Sequence, residues 1–164
     1  MQSMKKSIYT VTSVKALHGW DPGEDGYLAT LRRDGQKIGL AGMEANGGCE
    51  RFEMSDGDLE RLIEDAHRAL GQKRQDLEKS VHTWDGRGVA SEFVEQLVRD
   101  YEEQKWLKRN SKTKTLYKLK GQKPEQFGTW PKRPYSMEVH EYLVKKYGDK
   151  LVTVYDRQGG VASL

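Results

Sequence analysis

The amino-terminal part of the chain alternates between apolar and polar residues, a period of two that is typical of β-strands. The runs that predict strands are residues 7–17, 27–33, 36–41 and 49–54. Asp34-Gly35 separates the second run from the third, and this dipeptide supplies the positive φ that a tight two-residue turn requires. We therefore predict a β-hairpin there. Asn46-Gly47-Gly48 predicts a second turn, which leads through Cys49 into the fourth strand.

Three later segments repeat apolar residues every three to four positions, which is the period of an amphipathic helix. The first is predicted to begin after Ser55, whose hydroxyl can accept from an amide of the first turn, and to end at Gly71. The second begins near Ser91 and continues to Trp106 or Leu107. The third is predicted between the cap residues Ser136 and Gly148.

Residues 112–120 return to strict alternation and predict a strand with one largely cationic face. That face carries Lys112, Lys114, Leu116, Lys118 and Lys120. The opposite face carries Thr113, Thr115, Tyr117 and Leu119, which can pack on a core. Short strands are also predicted around residues 127–130 and 151–155.

Strands and helices occur in groups along the chain instead of alternating one by one. This order favours an α+β fold, a mostly antiparallel sheet with about three helices packed on it. The length of 164 residues suits a single domain over 1–164, and a subdomain boundary is predicted near residues 72–88.

Composition excludes several classes of protein. No apolar run approaches the ~20 residues that a membrane-spanning helix needs, and the first residues are not followed by a signal-peptide core. One cysteine excludes an internal disulfide framework and a cysteine-rich zinc module. Charged residues supply 32% of the chain and aromatic residues 9%, which indicates a polar-surfaced globular protein, expected in the cytoplasm.

The net charge of +3 conceals an uneven distribution. Residues 1–104 contain 14 basic and 20 acidic side chains, whereas residues 105–123 contain eight basic side chains and no acidic one. Residues 124–164 contain six basic and five acidic side chains. Such asymmetry bears on the choice of partner more than on the fold.

The basic segment 105–123 is the leading candidate for a functional surface, since lysine and arginine neutralise phosphates and aromatic rings stack on exposed bases. The predicted contact residues are Lys105, Trp106, Lys108, Arg109, Lys112, Lys114, Tyr117, Lys118, Lys120, Lys123 and, further along, Trp130. Two alternatives remain open. In one, the lysines only protect an edge strand from aggregation; in the other, the segment faces the acidic helix around residues 56–65 of the same chain.

Motifs for catalysis are weak, so the sequence favours a protein that is not an enzyme. Cys49 is a conceivable nucleophile, although a lone cysteine beside a strand is more often a small buried residue. His82 and Asp85 are close enough in sequence for acid–base chemistry, but a surface turn explains them equally. The four histidines share no ligand spacing, so neither a metal nor a cofactor is predicted.

Three tryptophans fall in segments rich in turn residues, where tryptophan is a frequent anchor for a partner. They are Trp20, Trp84 and Trp130. Together with the acidic front of the chain, they support a second hypothesis, a protein–protein inhibitor that makes no contact with nucleic acid.

Two segments give the chain a family resemblance. Residues 27–54, with Asp34-Gly35, Gly39 and Asn46-Gly47-Gly48, and residues 112–121, with Trp130, Tyr135-Ser136 and Tyr147-Gly148-Asp149, resemble a family of small uncharacterised proteins of phages, plasmids and bacterial chromosomes. The resemblance implies an origin in a mobile element. Small proteins of such elements that lack enzyme motifs often bind nucleic acid or disable a host defence complex such as a CRISPR effector. We therefore expect a binding protein that contacts nucleic acid, or a nucleic-acid-handling host complex.

Overall fold

The computed structural model describes residues 8–70 and 86–163. The chain divides into two compact units, one up to Tyr101 and one from Glu102 onward. The division falls inside a long helix, whereas the boundary predicted near residues 72–88 lies mostly outside the described residues. That the two units act as one domain stays a prediction.

In its described residues, the first unit contains four strands, one complete helix and the first part of a second helix. Its elements are β1 (Tyr9–Leu17), β2 (Gly26–Arg33), β3 (Gln36–Met43), β4 (Glu50–Met54), α1 (Asp56–Leu70) and the first part of α2 (Arg87–Asn110). The strands form an antiparallel sheet in the order β1-β2-β3-β4. Asp34 and Gly35, with φ of 49° and 80°, make the turn between β2 and β3, so the predicted hairpin is confirmed.

Apolar side chains from the sheet and both helices meet in one core. Its buried members are Tyr9, Val11, Ala29, Leu31, Ala41, Leu62, Ala90 and Val94. Tyr9 reaches the rim of this core and donates its hydroxyl hydrogen bond to Asp65 Oδ2 at 2.8 Å. The Ser55 hydroxyl accepts from the Asp58 amide at 3.2 Å, which confirms the predicted start of α1.

The second unit begins with the end of α2 and contains a smaller sheet. Its elements are β5 (Thr115–Leu119), β6 (Gly128–Trp130), α3 (Met137–Tyr147), a 3₁₀ turn (Gly148–Lys150) and β7 (Leu151–Val154). The strand order is β6-β5-β7, with both pairings antiparallel. The predicted caps of α3 are confirmed, because Ser136 Oγ accepts from the Val139 amide and Gly148 ends the helix with a φ of 51°.

β5 is the central strand of this sheet, and its two faces belong to two different clusters. Leu116 packs with Leu107 and Tyr155, and Trp106 and Phe127 cover that cluster. Tyr117 packs on the other side with Val139, Leu143 and Val154. The interpretation of the lysines as protection for an edge strand is therefore wrong, because β5 has a hydrogen-bonded neighbour on each side.

The fold class predicted from the sequence is confirmed: the structure is α+β, and all its strand pairings are antiparallel. The strands belong to two sheets, one in each unit. β5 is shorter than predicted, because residues 112–114 form the turn that follows α2. Of the helices in the described ranges, none is both long and apolar enough to cross a membrane.

Candidate nucleic-acid interface

The last turns of α2 present cations on one face. Lys105, Lys108 and Arg109 are spaced by three and four positions, so they share a side of the helix, and all three are exposed. Leu107 points the opposite way and is fully buried. Cations at a helix carboxyl end also complement the helix dipole, so part of this arrangement serves the helix itself.

The same exposed charge continues past the end of the helix. We call the following five exposed side chains the outer cations: Lys108, Arg109, Lys112, Lys120 and Lys123. Within residues 8–70 and 86–163, none of them forms an ion pair with a carboxylate. Since an unpaired surface cation keeps its full attraction for a phosphate, the outer cations suit a polyanionic partner.

Two other lysines of the predicted surface have structural contacts instead. The Lys118 ammonium donates to the carbonyl oxygen of Pro124, lies 4.4 Å from the centre of the Phe127 ring and is 4.0 Å from Glu103 Oε1. Lys114 is half-buried, with its ammonium 6.0 Å from the centre of the Trp106 ring. These cation–π contacts hold both lysines against the unit, so they are less available to a ligand than the outer cations.

The aromatic residues of the segment are likewise engaged in packing. Trp106 lies against Phe127, with ring centres 5.1 Å apart, and it covers the cluster around Leu116. Tyr117 is only 9% exposed, and its hydroxyl shares a 3.1 Å hydrogen bond with that of Tyr147. The structure therefore separates the predicted site into outer cations on the surface and inner residues in the core.

Trp130, the last residue of the predicted set, packs against the cluster that contains Tyr117 and lines a shallow pocket of about 190 Å³. Its ring centre is 4.7 Å from that of Tyr142, and the two planes meet at 61°. The pocket is lined by Tyr117, Thr129, Trp130, Pro131, Tyr142, Leu143, Lys146 and Tyr147. The Tyr142 side chain is 48% exposed.

Gly128 allows the Tyr117 ring to reach this pocket. The two residues are paired across β5 and β6, and a Cβ at position 128 would lie 2.2 Å from the tyrosine ring. The ring occupies the space over the glycine, which sets the phenol beside Tyr147. A glycine on a strand beside a large aromatic ring is the sequence signal for this arrangement.

The two phenols have shifted acidities. Burial, and then the hydrogen bond with Tyr147, raises the pKa of Tyr117 to about 12. The hydrogen bond with Tyr117 lowers the pKa of Tyr147, and the positive charge of Lys146 acts in the same direction. When Tyr147 ionises, Tyr117 is therefore the donor of their shared hydrogen bond.

Sequence reasoning did not identify the pocket residues of α3. The relation of Tyr142, Lys146 and Tyr147 to Trp130 is set by the packing of α3 on the sheet, which the sequence does not show. Tyr142 and Lys146 are four positions apart and share a side of the helix, but this spacing is also that of a core face.

Charge is also divided between the two units. Residues 102–164 contain 14 basic and seven acidic side chains, whereas residues 1–101 contain 14 basic and 18 acidic ones. The second unit, which holds the whole predicted site, therefore carries a net charge of +7. A charge of this size raises the local concentration of anionic ligands.

The structure adds little support for catalysis by Cys49 or by His82 and Asp85. Cys49 is exposed, so the expectation that it is a buried residue is wrong. His82, Asp85 and Trp84 lie outside the described residues. In the part of the chain that the structure describes, no three histidine, cysteine, aspartate or glutamate side chains gather as metal ligands.

Comparison with known proteins finds no matching family model, no similar curated protein and no similar solved structure. The resemblance to small proteins of mobile elements therefore stays a hypothesis. The function has to be argued from the chemistry of the site.

Proposed function

We propose that this chain is a non-enzymatic binding protein that contacts nucleic acid, alone or within a host complex, through the outer cations of its second unit. The cytoplasm is the compartment in which it would meet such a partner. The observation that supports the proposal most directly is the exposure of the outer cations, none of which pairs with a carboxylate in the described residues.

The distribution of acids supports a polyanion in particular. Between Lys105 and Lys123 the sequence contains no acidic residue, so this stretch of the chain adds no carboxylate of its own that would repel a phosphate chain. In the first unit, ion pairs such as Arg33 with Asp65 at 3.4 Å engage cations within the unit. The outer cations are not paired in this way, so they can contact the phosphates of a partner. Such phosphate contacts are strong at low salt and independent of base sequence.

The test is a charge reversal of the outer cations, with a matched control. The variant K108E/R109E/K112E changes three exposed side chains and lowers the net charge by six. The control K15E/K37E/R61E makes the same change of charge on three exposed side chains of the first unit. Affinity for labelled DNA and RNA, both single-stranded and duplex, is measured by fluorescence anisotropy at low and near-physiological salt.

We expect the wild type and the control to bind, and the site variant to lose at least tenfold in affinity. Equal losses in both variants would mean that net charge alone drives a non-specific attraction, which would contradict a defined surface. An absence of binding by the wild type at low salt would exclude nucleic acid as a direct ligand. Circular dichroism confirms that each variant is folded.

One specific observation favours the second hypothesis, a protein partner. The Trp20 side chain is 89% exposed, although its loop is fixed by hydrogen bonds. The Trp20 amide donates to Asn46 Oδ1 at 2.7 Å, and the Asn46 amide donates to the Glu24 carbonyl at 2.7 Å. A large apolar ring on a braced loop with acidic neighbours, such as Asp21, suits an apolar pocket on a basic partner.

The two hypotheses separate on Trp20→Ala. A photoreactive group at position 20 identifies a partner in a host extract, and affinity is then measured with the purified partner. A protein inhibitor of this kind would lose affinity on Trp20→Ala, whereas K108E/R109E/K112E and the exposed control Val161→Ala would keep it. The reverse pattern would favour the outer cations.

A further inference from the structure

The pocket beside Trp130 has walls of two kinds. Trp130 and Tyr142 pack edge to face, with ring centres 4.7 Å apart and planes that meet at 61°, so a flat ligand stacks on the outer side of this pair and not between the two rings. Thr129 and the paired phenols of Tyr117 and Tyr147 supply hydroxyl groups. A planar ligand that stacks on a ring and carries hydrogen-bonding groups on its edge fits such walls.

Two basic side chains lie beside the aromatic rings of the pocket. The Lys146 ammonium lies 5.9 Å from the centre of the Tyr142 ring and 5.2 Å from that of Tyr147. The guanidinium of Arg133 lies 5.9 Å from the centre of the Trp130 ring. None of the residues that line the pocket is acidic. A ligand with a negative group beside its flat ring is therefore favoured.

These charges argue against the other usual ligand of an aromatic cage. Quaternary ammonium groups bind between aromatic rings because the ring faces attract a cation. Here Lys146 already lies near two of the rings, so a second cation would be repelled. The volume of about 190 Å³ is also below the roughly 300–1,000 Å³ of sites for drug-sized ligands, which suits one ring system rather than a larger molecule.

We infer that this pocket receives one unpaired base of a single-stranded nucleic acid, with Trp130 and Tyr142 as the stacking rings and Lys146 and Arg133 beside the flanking phosphates. The inference rests on the proposed function and adds a preference for single strands. Bases in a duplex are stacked on their neighbours, so they can reach the pocket only after unpairing. The outer cations bind phosphates of either form, whereas the pocket distinguishes between them.

The experiment compares Tyr142→Ala with two controls on the same helix. Tyr142→Phe keeps the ring, and Met137→Ala removes an apolar side chain that is 50% exposed and does not line the pocket. Affinities are measured for oligo(dT), for oligo(U) and for a DNA duplex of equal length, so that DNA and RNA are distinguished. The indole N–H resonance of Trp130, assigned with Trp130→Phe, reports occupancy of the pocket directly.

We expect the wild type to prefer single strands, and Tyr142→Ala to lose about 5- to 100-fold in single-strand affinity while duplex affinity stays unchanged. Both controls should bind as the wild type does, and oligonucleotide should shift the Trp130 indole signal. If single strands and duplex bind equally, and Tyr142→Ala and the indole signal are unaffected, the pocket assignment is overturned and the proposed function stands. If no nucleic acid binds, both are overturned.

Discussion

The ammonium of Lys118 lies 4.4 Å from the centre of the Phe127 ring, within the second unit. The same nitrogen donates to the Pro124 carbonyl, and the side chain is only 22% exposed. This lysine therefore ties the loop that follows β5 back onto the strand. Lys118 therefore stabilises the fold, although it belongs to the basic segment 105–123, which the sequence predicts to bind a ligand.

Lys118→Met tests whether these contacts stabilise the fold. Methionine keeps the aliphatic stem but removes the charge, so the contacts to Phe127 and Pro124 are lost. We expect the free energy of unfolding, from urea titration, to fall by about 1–3 kcal/mol. Lys120→Met, at an exposed position on the same strand end, should change it by less than about 0.5 kcal/mol. Equal effects would mean that the Lys118 contacts contribute little.

Gly159→Ala tests the packing of the carboxyl-terminal segment on α2. Gly159 is buried with a φ of 78°, and a Cβ there would lie 2.7 Å from the Lys108 backbone nitrogen. We expect a loss of about 2 kcal/mol or more in the free energy of unfolding. Gly57→Ala, in the first turn of α1 with open space around it, is the control and should be neutral or stabilising. A harmless Gly159→Ala would show that this segment can move away from the helix.

The salt dependence of the affinity for DNA distinguishes lysines that contact phosphates from lysines that pack within the second unit. Each phosphate that a protein neutralises in duplex DNA contributes about −0.9 to the slope of log affinity against log salt concentration. Lys112→Ala removes one outer cation, so the slope should become shallower by about 1. Lys114→Gln, at a half-buried position near Trp106, should leave the slope nearly unchanged. The opposite result would assign the phosphate contact to the inner lysine.

Alkaline pH should weaken the first unit through Tyr27. Burial, and then the charge of Glu95, raises the pKa of this phenol to about 12, whereas an unfolded tyrosine ionises near pH 10. The folded chain therefore holds a proton that the unfolded chain has released, and the free energy of unfolding falls as the pH rises from about 10 to about 12. Tyr27→Phe should reduce this fall, measured by urea titration at pH 9 and 11.5. Tyr142→Phe, which removes an exposed hydroxyl, controls for the loss of a phenol.

Local chemistry made much of the fold predictable. Asp34-Gly35 accepts positive φ, so the hairpin follows from two residues, and Ser136 and Gly148 determine the ends of α3 in the same way. The partition into two sheets was not predictable, because strand pairing depends on contacts between residues far apart in sequence. The start of α2 at Arg87, four residues earlier than predicted, lies where no strong cap residue marks it.

The candidate site was predicted less well, for a physical reason. Alternation along residues 112–120 identifies two faces of a strand but not what covers each face. A strand at an edge would expose its lysines, whereas β5 is central and has Leu116 and Tyr117 buried on opposite sides. Lys108 and Arg109 were predicted from the run of basic residues without an acidic one, because the predicted second helix ends at Trp106 or Leu107 and their position on the last turn of α2 was not foreseen.

The central position of β5 has a consequence for any genetic screen of this chain. Substitutions at Leu116, Tyr117 or Lys118 remove packing contacts from one or both of the hydrophobic clusters beside β5. They will therefore reduce the amount of folded protein in the cell. Substitutions at Lys108, Arg109 or Lys112 leave those packing contacts in place. A screen that scores only loss of function would report both groups of positions as one continuous segment that is sensitive to substitution. Abundance measured alongside phenotype would divide it at residue 114.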